Sequence, residues 1–218
     1  MKKLIIFDCD GTVIDSEIVG ARVFPRVWAT MGVEMSEDEF LCTIVGTSPG
    51  AEVVTNLRAR LPANGMEIAD KIYDEELARS LQPVEGILSL LQDLECDVCI
   101  ASNSSLPYLK KVLAIAGLAD FFGDRVYSAR DLAHPKPAPD VFLYAARASG
   151  LGPEDCLVIE DSVLGIRAAK VAGITVVGFM GGKHFRPVLE EKLRSEGADV
   201  YCATTDELAR WIRLNFYT

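Results

Sequence analysis

From Pro83 onward, short apolar segments alternate with segments that have the length and periodicity of helices. Strands are predicted at residues 98–101, 125–128, 156–159, 174–178 and 200–201, after a first strand at 4–7. Helices are predicted at residues 85–94, 106–116, 139–149, 163–172, 187–195 and 205–214. This alternation is typical of β-α-β units, and strands that are apolar throughout are buried on both faces. The sequence therefore predicts an α/β fold with a Rossmann-like parallel sheet.

The segment between the first strand and Pro83 has a purely helical pattern. Apolar residues recur every four positions over residues 19–31, which predicts a helix that Pro25 should kink or break. A capping box at Ser36–Glu39 begins a second helix. A third is predicted to begin at Thr47 or Ser48 with Pro49, and a fourth covers about residues 67–80. We expect a core of residues 1–14 and 83–218, with residues 15–82 as an inserted, all-helical domain.

Charge and hydropathy exclude several classes of protein. The 218 residues carry a formal charge of −10, and a pI near 4.7 argues against a nucleic-acid partner. No segment approaches the ~20 apolar residues of a membrane span, so no membrane partner is expected. The six cysteines mostly lie in apolar runs, which predicts reduced thiols and a cytoplasmic location. The expected state is a monomer or a small homo-oligomer.

Polar residues follow three of the predicted strands. Asp8 and Asp10 follow the first strand, Ser102-Asn103-Ser104 follow a second, and Glu160-Asp161-Ser162 follow a third. Because the carboxyl ends of parallel strands lie on one edge, these groups should converge on one crevice. Carboxylates without His or Cys select Mg²⁺. Two structural alternatives stay open at this point: an ordinary turn after the first strand and a helix cap at Glu160–Ser162.

Lys136 lies in a proline-rich loop, between Pro135 and Pro137. The flanking prolines restrict the backbone, so this flexible side chain begins from a stiff position. A cation placed beside the acidic cluster would suit a phosphate ligand. The alternative is a solvated lysine in an irregular loop.

Taken in order, these segments resemble the four motifs of the haloacid dehalogenase-like hydrolase superfamily. The motifs correspond to Asp8-Cys9-Asp10-Gly11-Thr12, Ser102, Lys136 with Pro137, and Glu160-Asp161 with Gly165. The helical insertion after the first motif is similar to the cap of its phosphatase and phosphomutase branch. The resemblance implies an enzyme that hydrolyses phosphoric monoesters.

The resemblance also implies a role for each motif residue. Asp8 would be the nucleophile that forms an aspartyl-phosphate, and Asp10 would be the general acid and base. Mg²⁺ would be held by Asp8, the backbone carbonyl of Asp10 and Asp161, with Glu160 bound directly or through water. Ser102 and Lys136 would bind the transferring phosphoryl group, as could Thr12 and Asn103.

The implied partner is a small phosphorylated metabolite, such as a sugar phosphate or a sugar-acid phosphate, with 6-phosphogluconate as one example. A phosphomutase is the first alternative, although the arginine that often follows the position of Gly46 is absent. Asp10 argues against a dehalogenase, and a cap with Lys71 as its one lysine argues against a phosphonatase. A non-enzymatic phosphoacceptor domain is the alternative from another class, but such domains lack a helical insertion. Whether the loop residues Lys183, His184 and Arg186 contact substrate stays open.

Overall fold

Six parallel strands form a single sheet in the computed structural model, which describes residues 2–47 and 50–217. The strand order is β3-β2-β1-β4-β5-β6, which confirms the predicted α/β fold and its Rossmann-like sheet. The strands are β1 (Leu4–Phe7), β2 (Asp97–Ser102), β3 (Val126–Ser128), β4 (Cys156–Glu160), β5 (Thr175–Phe179) and β6 (Val200–Cys202).

Helices connect and flank these strands. Their bounds are α1 (Ser16–Ala29), α2 (Glu37–Thr43), α3 (Glu52–Arg60), α4 (Gly65–Ser80), α5 (Ile87–Asp93), α6 (Leu106–Ile115), α7 (Ala119–Phe122), α8 (Asp140–Ala148), α9 (Val163–Ala172), α10 (Pro187–Ser195) and α11 (Thr205–Asn215). Among the described residues, none of these helices combines the length and the apolar character that crossing a membrane requires. All six cysteines are free thiols, as their apolar surroundings predicted.

Strand β1 lies in the middle of the sheet and has neighbours on both sides. Its side chains alternate between two apolar cores: Ile5 and Phe7 belong to one, whereas Leu4 and Ile6 belong to the other. All four are completely buried. The burial of β1 explains its unbroken apolar sequence, and its central place puts the residue that follows, Asp8, at the centre of the carboxyl edge.

Two of the helices between β1 and β2, α2 and α4, pack against α1. Helix α1 lies against α4 and α2, and an aromatic group at their contact contains Phe24, Trp28, Phe40 and Tyr73. The two ends of this helical segment are joined by backbone hydrogen bonds, from Val84 N to Val13 O (3.0 Å) and from Asp15 N to Gln82 O (3.0 Å). The division into a core and an inserted domain at residues 14 and 83 stays a prediction.

Two predictions about the helices, the effect of Pro25 on α1 and the start of α3, differ from the structure. Pro25 does not break α1, which continues to Ala29 with Val23, Val27 and Trp28 buried. Burial of this apolar face outweighs the backbone hydrogen bond that a proline removes. Helix α3 begins at Glu52, so the prediction that Thr47 opens it is wrong, and the alternative opening at Ser48 with Pro49 falls outside the described residues.

Candidate active site

Three neighbouring strands bring the predicted polar residues to one edge of the sheet. Phe7 pairs with Ile100 of β2 and with Ile159 of β4. The residues after these positions therefore lie side by side: Asp8 follows β1, and Ser102 and Glu160 end β2 and β4. Asp8, Ser102 and Glu160 are 8%, 3% and 0% exposed, so the parallel register has collected buried polar groups at one place.

Lys136 joins this group although it comes from the loop before α8. Its Nζ donates hydrogen bonds to Asp8 Oδ1 (2.5 Å), Glu160 Oε1 (2.5 Å) and the carbonyl oxygen of Ala101 (2.8 Å). The side chain is almost completely buried, and its ammonium lies 4.7 Å from the ring centre of Phe142. The alternative of a solvated lysine is therefore excluded.

Burial and charge shift the pKa values of this cluster in linked ways. Burial raises the pKa of Asp8 well above its ordinary value, and the Lys136 ammonium opposes that rise. Glu160 behaves in the same way, since burial raises its pKa and Lys136 opposes the rise. Burial by itself would lower the pKa of Lys136, but the two carboxylates raise it above its ordinary value. Lys136 therefore remains a cation that favours the ionised form of both acids.

The backbone of Lys136 is held by Asn103. Lys136 N donates to Asn103 Oδ1 (2.9 Å), and Asn103 Nδ2 donates to Lys136 O (3.3 Å). Both ends of the Asn103 amide are thus used to fix the lysine loop against the end of β2. The predicted phosphate contact of Asn103 would have to compete with these bonds.

Asp8, Glu160 and Asp161 form a cluster that fits a metal ion. One carboxylate oxygen from each lies within 4.8 Å of the others, which makes them a candidate set of metal ligands among the described residues. Hard oxygen donors of this kind suit Mg²⁺. Both oxygens of Glu160 already have partners, since Oε1 accepts from Lys136 and Oε2 accepts from Ser162 N and Oγ.

Two glycines permit the close approach of the acidic residues. A Cβ atom on Gly165 would overlap the Glu160 carboxylate, so the start of α9 can lie against that acid because position 165 has no side chain. Gly11 has a φ of +75°, and a Cβ atom there would overlap Asp161 Oδ2. Thr12 completes this contact, since its Oγ1 donates to Asp161 Oδ1 (3.0 Å).

Asp10 lies in a different environment, made of hydroxyl groups. Its carboxylate accepts hydrogen bonds from Ser16 Oγ (2.7 Å), Tyr108 OH (2.8 Å) and Ser104 Oγ (2.7 Å). Ser104 belongs to the polar group after β2, so its position at this edge could be predicted from the sequence. Tyr108 had no such signal, because one tyrosine on an amphipathic helix looks like an ordinary packing residue.

The loop after β5 also reaches this edge. His184 is 3% exposed, and its Nε2 lies 3.3 Å from Asp161 Oδ2. Burial by itself would lower the pKa of His184, but Asp161 raises it above its ordinary value. Lys183 pairs with Asp15 (3.3 Å), and Arg186 pairs with Asp38 of α2 (2.7 Å). Each of the three residues therefore has a protein partner.

Comparisons with known proteins agree with this geometry. The haloacid dehalogenase-like hydrolase family matches residues 2–173. Hexitol phosphatase B of Escherichia coli is 36% identical over 77% of the chain and 78% of its own length, and the 6-phosphogluconate phosphatase of Escherichia coli is 26% identical over 87% of both.

A solved structure is similar over nearly its whole length. It is a conserved haloacid dehalogenase-like protein of unknown function from Agrobacterium tumefaciens, 34% identical, with a TM-score of 0.89 over 98% of this chain and 99% of that one. The sequence match, the shared fold and the grouping of all four motifs at one sheet edge lead to the same conclusion. The chain belongs to the haloacid dehalogenase-like hydrolase family.

Proposed function

We propose that this protein is a Mg²⁺-dependent phosphatase that hydrolyses small phosphorylated metabolites through an aspartyl-phosphate on Asp8. The observation that carries the proposal is the buried contact of Lys136 with Asp8 and Glu160 beside Asp161. Burying one cation among three acids costs desolvation free energy, and such arrangements are typical of functional sites. Such a group can supply a nucleophile, a metal site and a fixed positive charge at one edge of the sheet.

The first step transfers the phosphoryl group. A carboxylate oxygen of Asp8 attacks phosphorus, and the bond between phosphorus and the ester oxygen breaks. Asp10 donates its proton to that departing oxygen, so the metabolite leaves as a neutral alcohol. Lys136 favours the ionised form of Asp8, which opposes the effect of burial and keeps the nucleophile active.

The second step returns the enzyme to its starting state. Asp10, now a carboxylate, removes a proton from water while the water oxygen attacks phosphorus. The bond between phosphorus and Asp8 breaks, which releases inorganic phosphate and restores the Asp8 carboxylate. Asp10 holds the proton for the next cycle.

Mg²⁺ fits the donor set at this edge. Asp8, Asp161 and the backbone carbonyl of Asp10 would hold it, and Glu160, whose oxygens accept from Lys136 and Ser162, would bind it directly or through water. When bound, the ion would reduce the repulsion between the Asp8 carboxylate and an anionic substrate. His184 and Thr12 would keep Asp161 in place from the protein side.

The phosphoryl oxygens would be bound by Lys136 and Ser102, which are both buried at the end of the central strands. Thr12 and Asn103 are weaker candidates, since the Thr12 hydroxyl is bonded to Asp161 and the Asn103 amide to Lys136. The substrate class is a sugar phosphate or a sugar-acid phosphate. The names of the two Escherichia coli relatives support it, and 6-phosphogluconate is the specific candidate. Such a substrate, six free thiols and the absence of a membrane-spanning helix among the described residues fit a cytoplasmic enzyme.

The test is phosphate release from a panel of phosphorylated sugars, sugar acids and hexitols, with Mg²⁺ and with chelator. Wild type is compared with Asp8→Asn, Asp10→Asn and the control Asp97→Asn, whose carboxylate pairs with Lys2 at the surface. We expect metal-dependent turnover in wild type and control, and a loss of at least about 100-fold in both site variants.

Four results would contradict the proposal. Turnover that persists in chelator excludes the metal requirement, and full activity of Asp8→Asn excludes the nucleophile. An isomerised sugar phosphate without net phosphate release identifies a phosphomutase instead. Stable phosphorylation of Asp8 without turnover on any substrate identifies a phosphoacceptor domain.

A further inference from the structure

The Asp10 carboxylate is held by hydroxyl groups from three parts of the chain. Oδ1 accepts from Ser16 Oγ at the start of α1 and from Tyr108 OH on α6, and Oδ2 accepts from Ser104 Oγ after β2. Hydrogen bonds to both oxygens fix the rotation of the carboxylate as well as its position. The direction in which Asp10 presents its proton is therefore set by its neighbours.

A second tyrosine lies behind the first. Tyr73 OH lies 3.3 Å from both Tyr108 OH and the backbone oxygen of Ser16, and its one proton can be donated to either of them. Burial, with a contribution from the Asp10 carboxylate, raises the pKa of both tyrosines well above the ordinary value. Both side chains therefore stay neutral phenols that can donate. The hydroxyls of Tyr73 and Tyr108 can therefore form a chain of hydrogen bonds that ends on the Asp10 carboxylate, and we call these two groups the hydroxyl chain.

The hydroxyl chain connects the helical segment between β1 and β2 to the carboxyl edge of the sheet, where Asp10 lies. Tyr73 lies on α4 of that segment, and Tyr108 lies on α6, which follows β2. The ring of Tyr73 is fixed by Phe24 of α1, with ring centres 5.0 Å apart. An ion pair between Lys111 and Asp74 (2.8 Å) also joins α6 to α4, three positions after Tyr108 and one position after Tyr73. The two tyrosine hydroxyls therefore meet between two packed helices.

We propose that Tyr108 and Tyr73 are positioning residues that aim Asp10 at the leaving group, so that the packing of the helical segment sets the geometry of proton transfer. The inference rests on the proposed role of Asp10 as general acid. Tyr108 acts directly on the carboxylate. Tyr73 acts through Tyr108 and through the backbone of Ser16.

The chemistry predicts which substrates depend on the hydroxyl chain. An alkyl ester oxygen is a poor leaving group and needs a proton in the transition state. The rate of phosphoryl transfer should therefore depend on the orientation of the Asp10 carboxyl group. A p-nitrophenolate ion leaves without a proton, so the orientation of the Asp10 carboxyl group has little effect on the rate of its departure. A change that only loosens the fold lowers both rates together.

The experiment compares kcat/KM for 6-phosphogluconate and for p-nitrophenyl phosphate, because kcat/KM reports the steps up to the first phosphoryl transfer. A hexitol 6-phosphate replaces 6-phosphogluconate if wild type prefers it. Tyr108→Phe is expected to lose on the order of tenfold with the sugar phosphate and less than about twofold with p-nitrophenyl phosphate. Tyr73→Phe is expected to change in the same direction by a smaller factor.

Two control variants separate positioning from packing. Tyr201→Phe removes a hydroxyl that is equally well bonded, to the carbonyl oxygens of Leu193 and Arg194, at the edge strand β6. Asp74→Asn removes the ion pair between α4 and α6 without touching the hydroxyl chain. Both controls should keep the ratio of the two kcat/KM values within about twofold of wild type.

The double variant tests whether Tyr73 acts through Tyr108. If it does, Tyr73→Phe has little further effect once Tyr108 is phenylalanine, and the two losses are not additive. Equal losses on both substrates, or no loss on either, would overturn the inference. If Asp10→Asn itself fails to discriminate between the two substrates, the proposed role of Asp10 is wrong and the inference is lost with it. If Asp10→Asn discriminates and Tyr108→Phe does not, only the inference fails.

Discussion

Lys136 Nζ donates to Asp8 Oδ1 at 2.5 Å, although 128 positions separate the two residues in the chain. The same ammonium also donates to Glu160, so one cation is shared by two buried acids. Lys136 thereby favours the ionised form of Asp8, the proposed nucleophile, against the effect of burial, which raises the pKa of Asp8. We therefore expect both the stability and the proposed chemistry of the site to depend on Lys136.

Lys136→Met should lower stability strongly. The change leaves the carboxylates of Asp8 and Glu160 buried without their cation, which costs about 3–5 kcal/mol of unfolding free energy near neutral pH. The loss should shrink in acid, since burial raises the pKa of both acids and their neutral forms need no cation. Denaturant unfolding in chelator measures it.

Lys111→Met is the matched control for that measurement. It removes an exposed pair with Asp74, so its cost should stay within about 1 kcal/mol. A Lys136→Met protein as stable as this control would show that the buried pairs do not hold the site together. Phosphate release by Lys136→Met should fall by at least about 100-fold.

Mg²⁺ should raise the thermal stability of the wild type, because a ligand that binds only the folded state stabilises it by mass action, by about 2.7 kcal/mol at a hundred times its Kd. Asp161→Asn should abolish most of this increase, since Asp161 contributes one of three clustered carboxylates. Thermal unfolding with and without Mg²⁺ measures the effect. Asp155→Asn, at a surface pair with Lys3, should respond to Mg²⁺ as the wild type does.

Gly165→Ala should damage both fold and activity. A Cβ atom at this position overlaps the Glu160 carboxylate, so α9 or the acid must move, at a cost of about 1–3 kcal/mol. Gly50→Ala is the control, since no residue in the described part of the chain lies within 4 Å of its Cβ position. Unfolding free energy and phosphate release should both fall in Gly165→Ala. Unchanged values in both would mean that the close approach of residues 160 and 165 is unimportant.

Glu17→Gln should stabilise the metal-free protein in alkaline solution. Burial, followed by the Asp10 carboxylate, raises the pKa of Glu17 to about 8. The folded state therefore binds this proton more tightly than the unfolded state, and wild-type stability falls as the pH rises from about 4.5 to about 8. Glutamine removes that penalty, so the advantage of the variant should grow across this range, to on the order of 2 kcal/mol after solvent screening.

Unfolding in chelator at about pH 5 and about pH 9 provides the measurement. Glu154→Gln, in the short turn before β4, serves as the control and should show no such trend. An advantage of Glu17→Gln that stays constant with pH would mean that Glu17 does not hold its proton in the folded state.

Much of the fold and of the acidic site was predictable, because both follow from local patterns. Apolar strands alternating with helices specify a parallel sheet, and the register then brings the ends of β1, β2 and β4 together. Asp8 and Glu160 were therefore identifiable as neighbours. Helix α1 was harder: Pro25 is locally unfavourable, yet the apolar packing of the helix against α4 outweighs it.

The sequence by itself determined the parallel sheet and the chemical types at its carboxyl edge, because strand periodicity and the residues that end each strand are local properties. Only the tertiary structure decided how those residues are bonded. Lys136 became a buried cation through bonds to distant carboxylates, and Asn103 became its support. Tyr108 donates to Asp10, and Tyr73 meets Tyr108 because α4 and α6 pack together, and no local pattern encodes such contacts.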